Sequence, residues 1–317
     1  MNMKKIAAFA AVAVIAAGIC TGMPASNFTD VSITAYADTK GTLSKSADGN
    51  FMIFTDDDTK EKTIAMYLGK GGDITIPADI DRIDKNVFMG NDTITSVTFP
   101  ANSKCKYVGD YAFNSMPKLK KVTFKADVCG IGQMCFNGCS ALEEVIFKGN
   151  VASPDSKFSV ESGGELYGGI YGYAFNNCKA LKTVEFAENF TVDFIGEYAF
   201  SGCDALSTVK MPKKIYTIKK YAFLGCNALN GLTIPADTWC YEYCCGYDYD
   251  YTAQKYIKNE NFVITTEKGS FTEKYAKGYG IKYQEPNGTA NAVESEDLKP
   301  EVKKAAAAKN FKDRFTI

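Results

Sequence analysis

The residues best suited to chemistry in this chain are its eleven cysteines. Thiolates bind zinc, form disulfides and act as nucleophiles. Each role needs a partner pattern. A structural zinc site needs four convergent ligands, and the Cys-x-x-Cys pairs with a matching second half are missing. A cysteine nucleophile needs a base beside it, and the sequence has no histidine. That absence also removes serine–histidine pairs, the usual general base at neutral pH and every histidine-containing metal site. Carboxylates are the remaining candidates. Asp56, Asp57 and Asp58 lie together between Thr55 and Thr59, but lack the alternating spacing, the glycine and the closing glutamate of a calcium loop. They read as a solvated turn. The other carboxylates are scattered on turns. A carboxylate-dependent glycan-acting enzyme is therefore only the rival reading. No catalytic residue, cofactor or metal is expected.

The overall balance is equally bland toward polyanions. The formal net charge is −1, and arginine occurs only at Arg82 and Arg314. Lysine lacks the bidentate fork that reads phosphates and bases, so no nucleic-acid partner is expected. The first residues read as an export signal rather than as fold. Lys4 and Lys5 precede a 14-residue apolar run over 6–19, too short to span a bilayer. Ala35-Tyr36-Ala37 fits cleavage before Asp38. A lipid anchor on Cys20 is disfavoured by bulky Ile19. No second apolar run follows. The expectation is a leader over 1–37 and a secreted or surface-associated mature chain without a transmembrane segment.

What positions the cysteines is a repeat. The fullest copies run Ile195-Gly-Glu-Tyr-Ala-Phe200-Ser-Gly-Cys203-Asp-Ala-Leu206 and Ile218-Lys-Lys-Tyr-Ala-Phe223-Leu-Gly-Cys226-Asn-Ala-Leu229. Earlier copies centre on Phe88, Phe113, Phe136 and Phe175, giving intervals of 25, 23, 39, 25 and 23 residues. A period of 20–29 ending in Leu-x-x-Val-x-Phe is a leucine-rich signature. Each unit predicts a short strand ending near Ile-Gly, a helical turn around Ala-Phe-x-x-Cys, and a strand Leu-x-x-Val-x-Phe. Strand residues two apart share a face. Val97 with Phe99, Val122 with Phe124, Val209 with Met211 and Leu232 with Ile234 therefore build the core. Thr98, Thr123, Ile146, Glu185, Lys210 and Thr233 are expected to face out. Phe88, Phe113, Phe136, Phe175, Phe200 and Phe223, with Leu119, Leu142, Leu181, Leu206 and Leu229, make the repeat core.

This pattern resembles the BspA-type, or Treponema-type, bacterial leucine-rich repeat family over about 73–284. Tyr-Ala-Phe-x-x-Cys-x-x-Leu recurs nearly intact at Phe175, Phe200 and Phe223. The segment from Gly269 to Tyr283 is similar to that family's closing unit. The resemblance implies a cell-surface or secreted protein used in adhesion, and brings no shared catalytic residue. The expected fold is a β-rich solenoid of about six to seven 23–25-residue coils with short helical turns. An N-terminal cap over 38–76 contains a hairpin from Phe51-Met-Ile-Phe54 and Thr63-Ile-Ala-Met-Tyr67, after a loose stretch from 38 to about 50. The solenoid and its closing unit occupy 77–284, and 285–317 form a flexible tail.

The repeat also reassigns the cysteines. Aligned on phenylalanine, one slot holds Asn91, Met116, Cys139, Cys178, Cys203 and Cys226. Methionine neither bridges nor ligates zinc like a thiolate, so the slot reads as buried apolar space. Cys135 falls where other units carry alanine. Cys240, Cys244 and Cys245 lie outside the slots, and a disulfide among them or to Cys105 or Cys129 stays open.

Two departures from the repeat remain. Residues 148–169 lengthen one interval, either as a tolerated surface loop or as a binding insertion. Tyr247, Tyr249 and Tyr251 alternate with Asp248 and Asp250, either covering the last coil or presenting aromatics to a ligand. With Trp239 and Tyr167 they are the candidate contact residues. Non-enzymatic recognition of an extracellular protein or glycan by a monomer is the favoured function. A scaffolding role in a secreted assembly is the alternative.

The slot assignment has a direct consequence. Cys139, Cys178, Cys203 and Cys226 should be reduced and unreactive toward a thiol reagent in the native protein, and should all react after denaturation. Recovery of any of them oxidised from native protein would refute the assignment.

Overall fold

A computed structural model of the chain describes residues 39–149, 158–159, 165–166, 168–188 and 190–288. The leader 1–37, Tyr167 and the tail beyond 288 lie outside the described residues.

The Val-x-Phe strands form a six-stranded parallel sheet to which successive coils add one strand each, while Gly231–Thr233 pairs with Val263–Thr265 in a separate three-stranded sheet. From its first edge the sheet runs Gly72–Thr75, Ile94–Phe99, Lys121–Phe124, Glu144–Phe147, Thr183–Phe186 and Thr208–Lys210. The register is strict. Ile74 lies beside Val97, then Val122, Val145, Val184 and Val209. Identical residues thus stack because each coil returns at the same phase, and a shift of one residue would turn every core side chain outward. Opposite lies a ten-stranded sheet built from the shorter strands, such as Tyr107–Val108, Gly130–Ile131 and Gly169–Ile170.

Between the two sheets runs one hydrophobic core. Its axis is a column of phenylalanines. Phe88, Phe113, Phe136, Phe175, Phe200 and Phe223 stack at centroid spacings of 4.5, 4.9, 5.0, 5.1 and 5.2 Å. A second column, Phe99, Phe124, Phe147 and Phe186, stacks at 4.5, 4.8 and 4.8 Å. Leu119, Leu142, Leu181, Leu206 and Leu229 are buried beside them. The long interval leaves the column intact: Phe136 and Phe175 remain 5.0 Å apart. Within that insertion Phe158–Ser159 pairs antiparallel with Glu165–Leu166.

The turns expected to be short helices take another form. Successive amides alternate between their own coil and the next. Ala112 and Asn114 donate back to Gly109 and Tyr111, while Phe113 and Ser115 donate across to Cys135 and Asn137. A helix would direct every amide within its own coil. A left-handed residue at the start of each turn, Tyr111 at φ 57° for example, breaks that pattern and gives half the donors to the neighbour. Among the described residues the α-helix Phe271–Gly278 stands alone.

Both ends of the core are covered. The hairpin Phe51–Asp56 and Lys62–Tyr67 joins the ten-stranded sheet, and Phe51 and Tyr67 close the phenylalanine column at 6.4 and 5.3 Å from Phe88. The stretch read as loose contains one more strand, Gly41–Lys45, antiparallel to Phe51–Asp56. Its side chains are nearly all exposed, so no apolar alternation marked it. At the other end Ser270 caps the helix by accepting from the Glu273 amide. Tyr275 and Ala276 then lie buried against the last coil.

Thr123 and Ile146, expected to face solvent, are buried at 7% exposure each. They occupy the two central strands of the six-stranded sheet, flanked on both sides. Thr98, Glu185, Lys210 and Thr233 are at least partly exposed.

Phe200 touches rings above and below and is fully enclosed. Phe200→Ala should destabilise the array by about 3–5 kcal/mol, measured as the shift in a denaturant unfolding curve. A midpoint equal to the parent's would overturn the column assignment.

Candidate functional site

Each turn begins with a residue in the left-handed conformation. The series is Asn86, Tyr111, Met134, Tyr173, Tyr198, Tyr221 and Tyr243, with φ between 51° and 62°. This conformation costs a side-chain-bearing residue roughly 1–2 kcal/mol. The cross-coil ladder offsets it: Tyr111, Tyr173 and Tyr198 donate to Gln133, Glu197 and Lys220 at 2.9, 2.9 and 3.2 Å. Ring stacking adds to it, each pair contributing about 0.5–1.5 kcal/mol. Tyr173 and Tyr198, then Tyr198 and Tyr221, lie 4.8 Å apart. The three tyrosines are half-buried.

The acidic tyrosine segment extends this row. Gly246 at φ 75° turns the chain, and the Gly225 amide donates to the Tyr247 carbonyl at 2.9 Å. The strand Tyr247–Asp250 thus leaves from the turn of a last coil, whose own strands Trp239–Cys240 and Val263–Thr265 pair with the coil before it. It pairs antiparallel with Lys255–Lys258, setting Tyr249 opposite Tyr256. Tyr256 stacks on Tyr243 at 3.9 Å and reaches Tyr221 at 5.8 Å. Tyr249 meets Tyr256 at 5.0 Å, and Tyr251 meets Tyr249 at 5.0 Å. The result is one aromatic surface from Tyr173 to Tyr251, which is itself 84% exposed.

The candidate contact residues fall in different settings. Tyr247 packs against the core, and its hydroxyl donates to the Tyr279 carbonyl. Tyr249 is half-buried, and Tyr251 projects from the turn beyond the strand. Trp239 packs on Phe271 at 5.5 Å. Tyr167 lies outside the described residues. Tyr243 and Tyr256 were not singled out in the sequence. The signal for Tyr256 is the alternation Lys255-Tyr-Ile-Lys258 after an Asp-containing turn, which is a hairpin return strand.

Along the six-stranded sheet three lysine–glutamate pairs neutralise one another. Lys121 pairs with Glu144, Lys182 with Glu143 and Lys210 with Glu185 at 2.5, 2.9 and 3.8 Å. The Asp56 carboxylate is spent on its own turn, accepting from the Asp58 and Thr59 amides and the Thr59 hydroxyl. No cluster with metal-ligand geometry occurs among the described residues.

All ten described cysteines are free and buried. The slot cysteines do more than fill space. Cys139, Cys178, Cys203 and Cys226 donate their thiols to the carbonyls of Phe113, Phe136, Phe175 and Phe200 at 3.0–3.2 Å. Each acceptor belongs to the preceding coil. Met116 fills the same slot in an earlier coil and donates nothing. Burial pushes the Cys105, Cys129 and Cys139 thiols up to about 12, which suppresses the thiolate needed for nucleophilic chemistry. Cys244 donates its thiol to the Cys245 sulfur at 3.8 Å, with no disulfide between them.

A BspA type leucine rich repeat region, in six copies, matches residues 67–160 and 167–274. No curated protein matches the sequence significantly. Among solved structures, a leucine rich cell surface protein from Faecalibacterium prausnitzii is 22% identical, with a TM-score of 0.50, over 80% of this chain and 61% of that one. A leucine-rich repeat protein from Eubacterium ventriosum is 20% identical, with a TM-score of 0.46, over 63% of this chain and 50% of that one. The chain therefore spans about half to three fifths of the length of these two proteins. The first likeness is one of fold.

The tyrosine surface should be visible in an alkaline titration. Burial, and then the neighbouring Tyr243, pushes the Tyr247 phenol up to about 12. Burial, and then the Tyr221 hydroxyl, does the same to Tyr256. An unfolded tyrosine ionises near 10, so the folded state holds these protons longer. Their stabilisation is present below about pH 10 and is lost as pH rises through about 12. Phenolate absorbance of native protein should lag that of unfolded protein across this window, and Tm should fall across it. Superimposable titration curves would contradict the burial described.

Proposed function

The chain belongs to the BspA-type leucine-rich repeat family, and on that premise we propose that it is a non-enzymatic extracellular recognition protein that binds a protein or glycan through its tyrosine surface. The observation that carries this reading is the continuous aromatic row from Tyr173 to Tyr251. Aromatic side chains dominate interface energy, because they bury much area at small entropic cost. The outward strand positions of the six-stranded sheet offer no comparable anchors. The chain's polar groups point the same way. Lysine–glutamate pairs engage charges along the six-stranded sheet and the ten described thiols are buried, which favours recognition over catalysis.

In this reading the hairpin supplies contact through Tyr249, Tyr251 and Tyr256, while Tyr247 fixes the hairpin to the core. The insertion at 148–169 is a second contact candidate, because it lengthens one coil without disturbing the stack beneath it. The leader over 1–37 supports export. No helix among the described residues is long and apolar enough to cross a membrane.

A glycan and host-protein array screened with the mature chain tests the proposal. The variant Tyr198→Asn/Tyr221→Asn/Tyr251→Ser should weaken binding to a retained ligand at least about tenfold, with circular dichroism unchanged. Asparagine holds the same left-handed position at Asn86, so the exchange keeps the turn. An empty array, or a variant that binds like the parent while Glu185→Lys abolishes binding, would sink the tyrosine surface as the site.

A further inference from the structure

The hairpin that carries the tyrosines has a second face. There it leans over the final Cys-Asn-Ala-Leu turn and leaves a partly open cleft of about 250 Å³. That is room for roughly eight water volumes, the scale of one sugar ring rather than an extended peptide. Phe223 and Phe262 form its buried apolar floor. Its walls are amides. Asn227, Asn230 and Asn261 line it with exposed side chains that hold no hydrogen bond to another described residue.

The charges of the cleft narrow the ligand class. Lys258 is already engaged, donating to the Gly280 carbonyl at 3.2 Å and pairing with Glu260 at 3.2 Å. Asp248 has one carboxylate oxygen on the Tyr249 amide at 2.7 Å, which leaves the other open. The uncompensated charge is therefore negative, and an anionic ligand is disfavoured. A single carboxylate does not make a cation cage. Primary amides both donate and accept, so they suit a neutral ligand rich in hydroxyl and amide groups. Ile257, 46% exposed, adds an apolar wall.

We propose that this cleft binds an N-acetylated amino sugar. Each part of such a sugar has a partner of the right kind. The acetamido N–H donates to the free oxygen of Asp248. Its carbonyl accepts from an asparagine amide. Its methyl group packs on Ile257, and the ring hydroxyls exchange hydrogen bonds with the remaining amides. The site arises where the hairpin is inserted into the last coil, between the strands Trp239–Cys240 and Val263–Thr265. It lies on the face of the hairpin opposite Tyr249 and Tyr256, and does not depend on the tyrosine surface being a binding site.

Titration of the folded chain with N-acetylglucosamine, followed by saturation-transfer NMR and calorimetry, tests it. Glucose, which lacks the acetamido group, is the control. Saturable binding of N-acetylglucosamine that glucose does not match is expected. Asn227→Ala/Asn261→Ala should weaken it at least about tenfold, the effect of losing about 1.4 kcal/mol. Neither side-chain amide is bonded to another described residue, so circular dichroism should not change. Asp248→Ala should weaken it independently. Tyr251→Ser should leave it intact, which separates this site from the tyrosine surface. Absence of saturable binding, equal binding of glucose, or unaltered affinity in the double asparagine variant each overturns the proposal.

Discussion

Every coil of this protein depends on a phenylalanine finding another phenylalanine about 5 Å away. The column from Phe88 to Phe223 sets the rise of the array at 4.5–5.2 Å per coil. That rise matches the spacing of hydrogen-bonded strands, so one geometry serves both sheets and both ring columns. Because neighbours contact only neighbours, stability is a sum of coil and interface terms. The same logic explains the two caps. A terminal phenylalanine with one bare face would be costly: Phe51 and Tyr67 meet Phe88 at one end, and at the other Phe223 is enclosed beneath a closing unit in which Cys244 and Tyr275 are buried.

The turns show how a local penalty becomes a surface. A left-handed residue at each turn start costs energy, yet it gives alternate amides to the next coil and closes the ladder between coils. Because the rise is fixed by the core, the side chains at that position must also lie about 5 Å apart. Tyrosine suits the position: its ring stacks at that distance while its hydroxyl stays wet. The tyrosine row is thus a product of core geometry, and the hairpin Tyr247–Asp250 continues it with rings from outside the repeat.

The features that repeat were legible in the sequence. The phenylalanine slots, the Val-x-Phe strands and the interchange of Cys139, Cys178 and Cys203 with Met116 follow from period and residue type alone. Features that occur once were less legible. Gly41–Lys45 carries no buried face, so nothing in its pattern separates it from a loop. Thr123 and Ile146 are buried by their central place in the sheet, which alternation cannot report. The left-handed turn is spelled only by Asn86, since tyrosine is not a residue associated with positive φ. The cleft beside Asn227 depends on how a non-repeating hairpin folds back. The thiol bonds were hidden for another reason. A cysteine and a methionine look alike as volume, and only the folded geometry sets the sulfur against a carbonyl.

Those bonds bear on when the chain is vulnerable. Each slot thiol is enclosed by its own coil and by the phenylalanine carbonyl of the coil before it. A thiol becomes protected only when these two coils dock. On the proposed export, in which the chain would leave the reducing cytosol before it folds, oxidative damage becomes a matter of timing rather than of location. Mispairing competes with docking, and the contest for each cysteine ends as the next layer is laid down. Docking that proceeds from one cap toward the other would retire the thiols in sequence order, so that the last to be secured is Cys226 and the cluster of Cys240, Cys244 and Cys245 behind it.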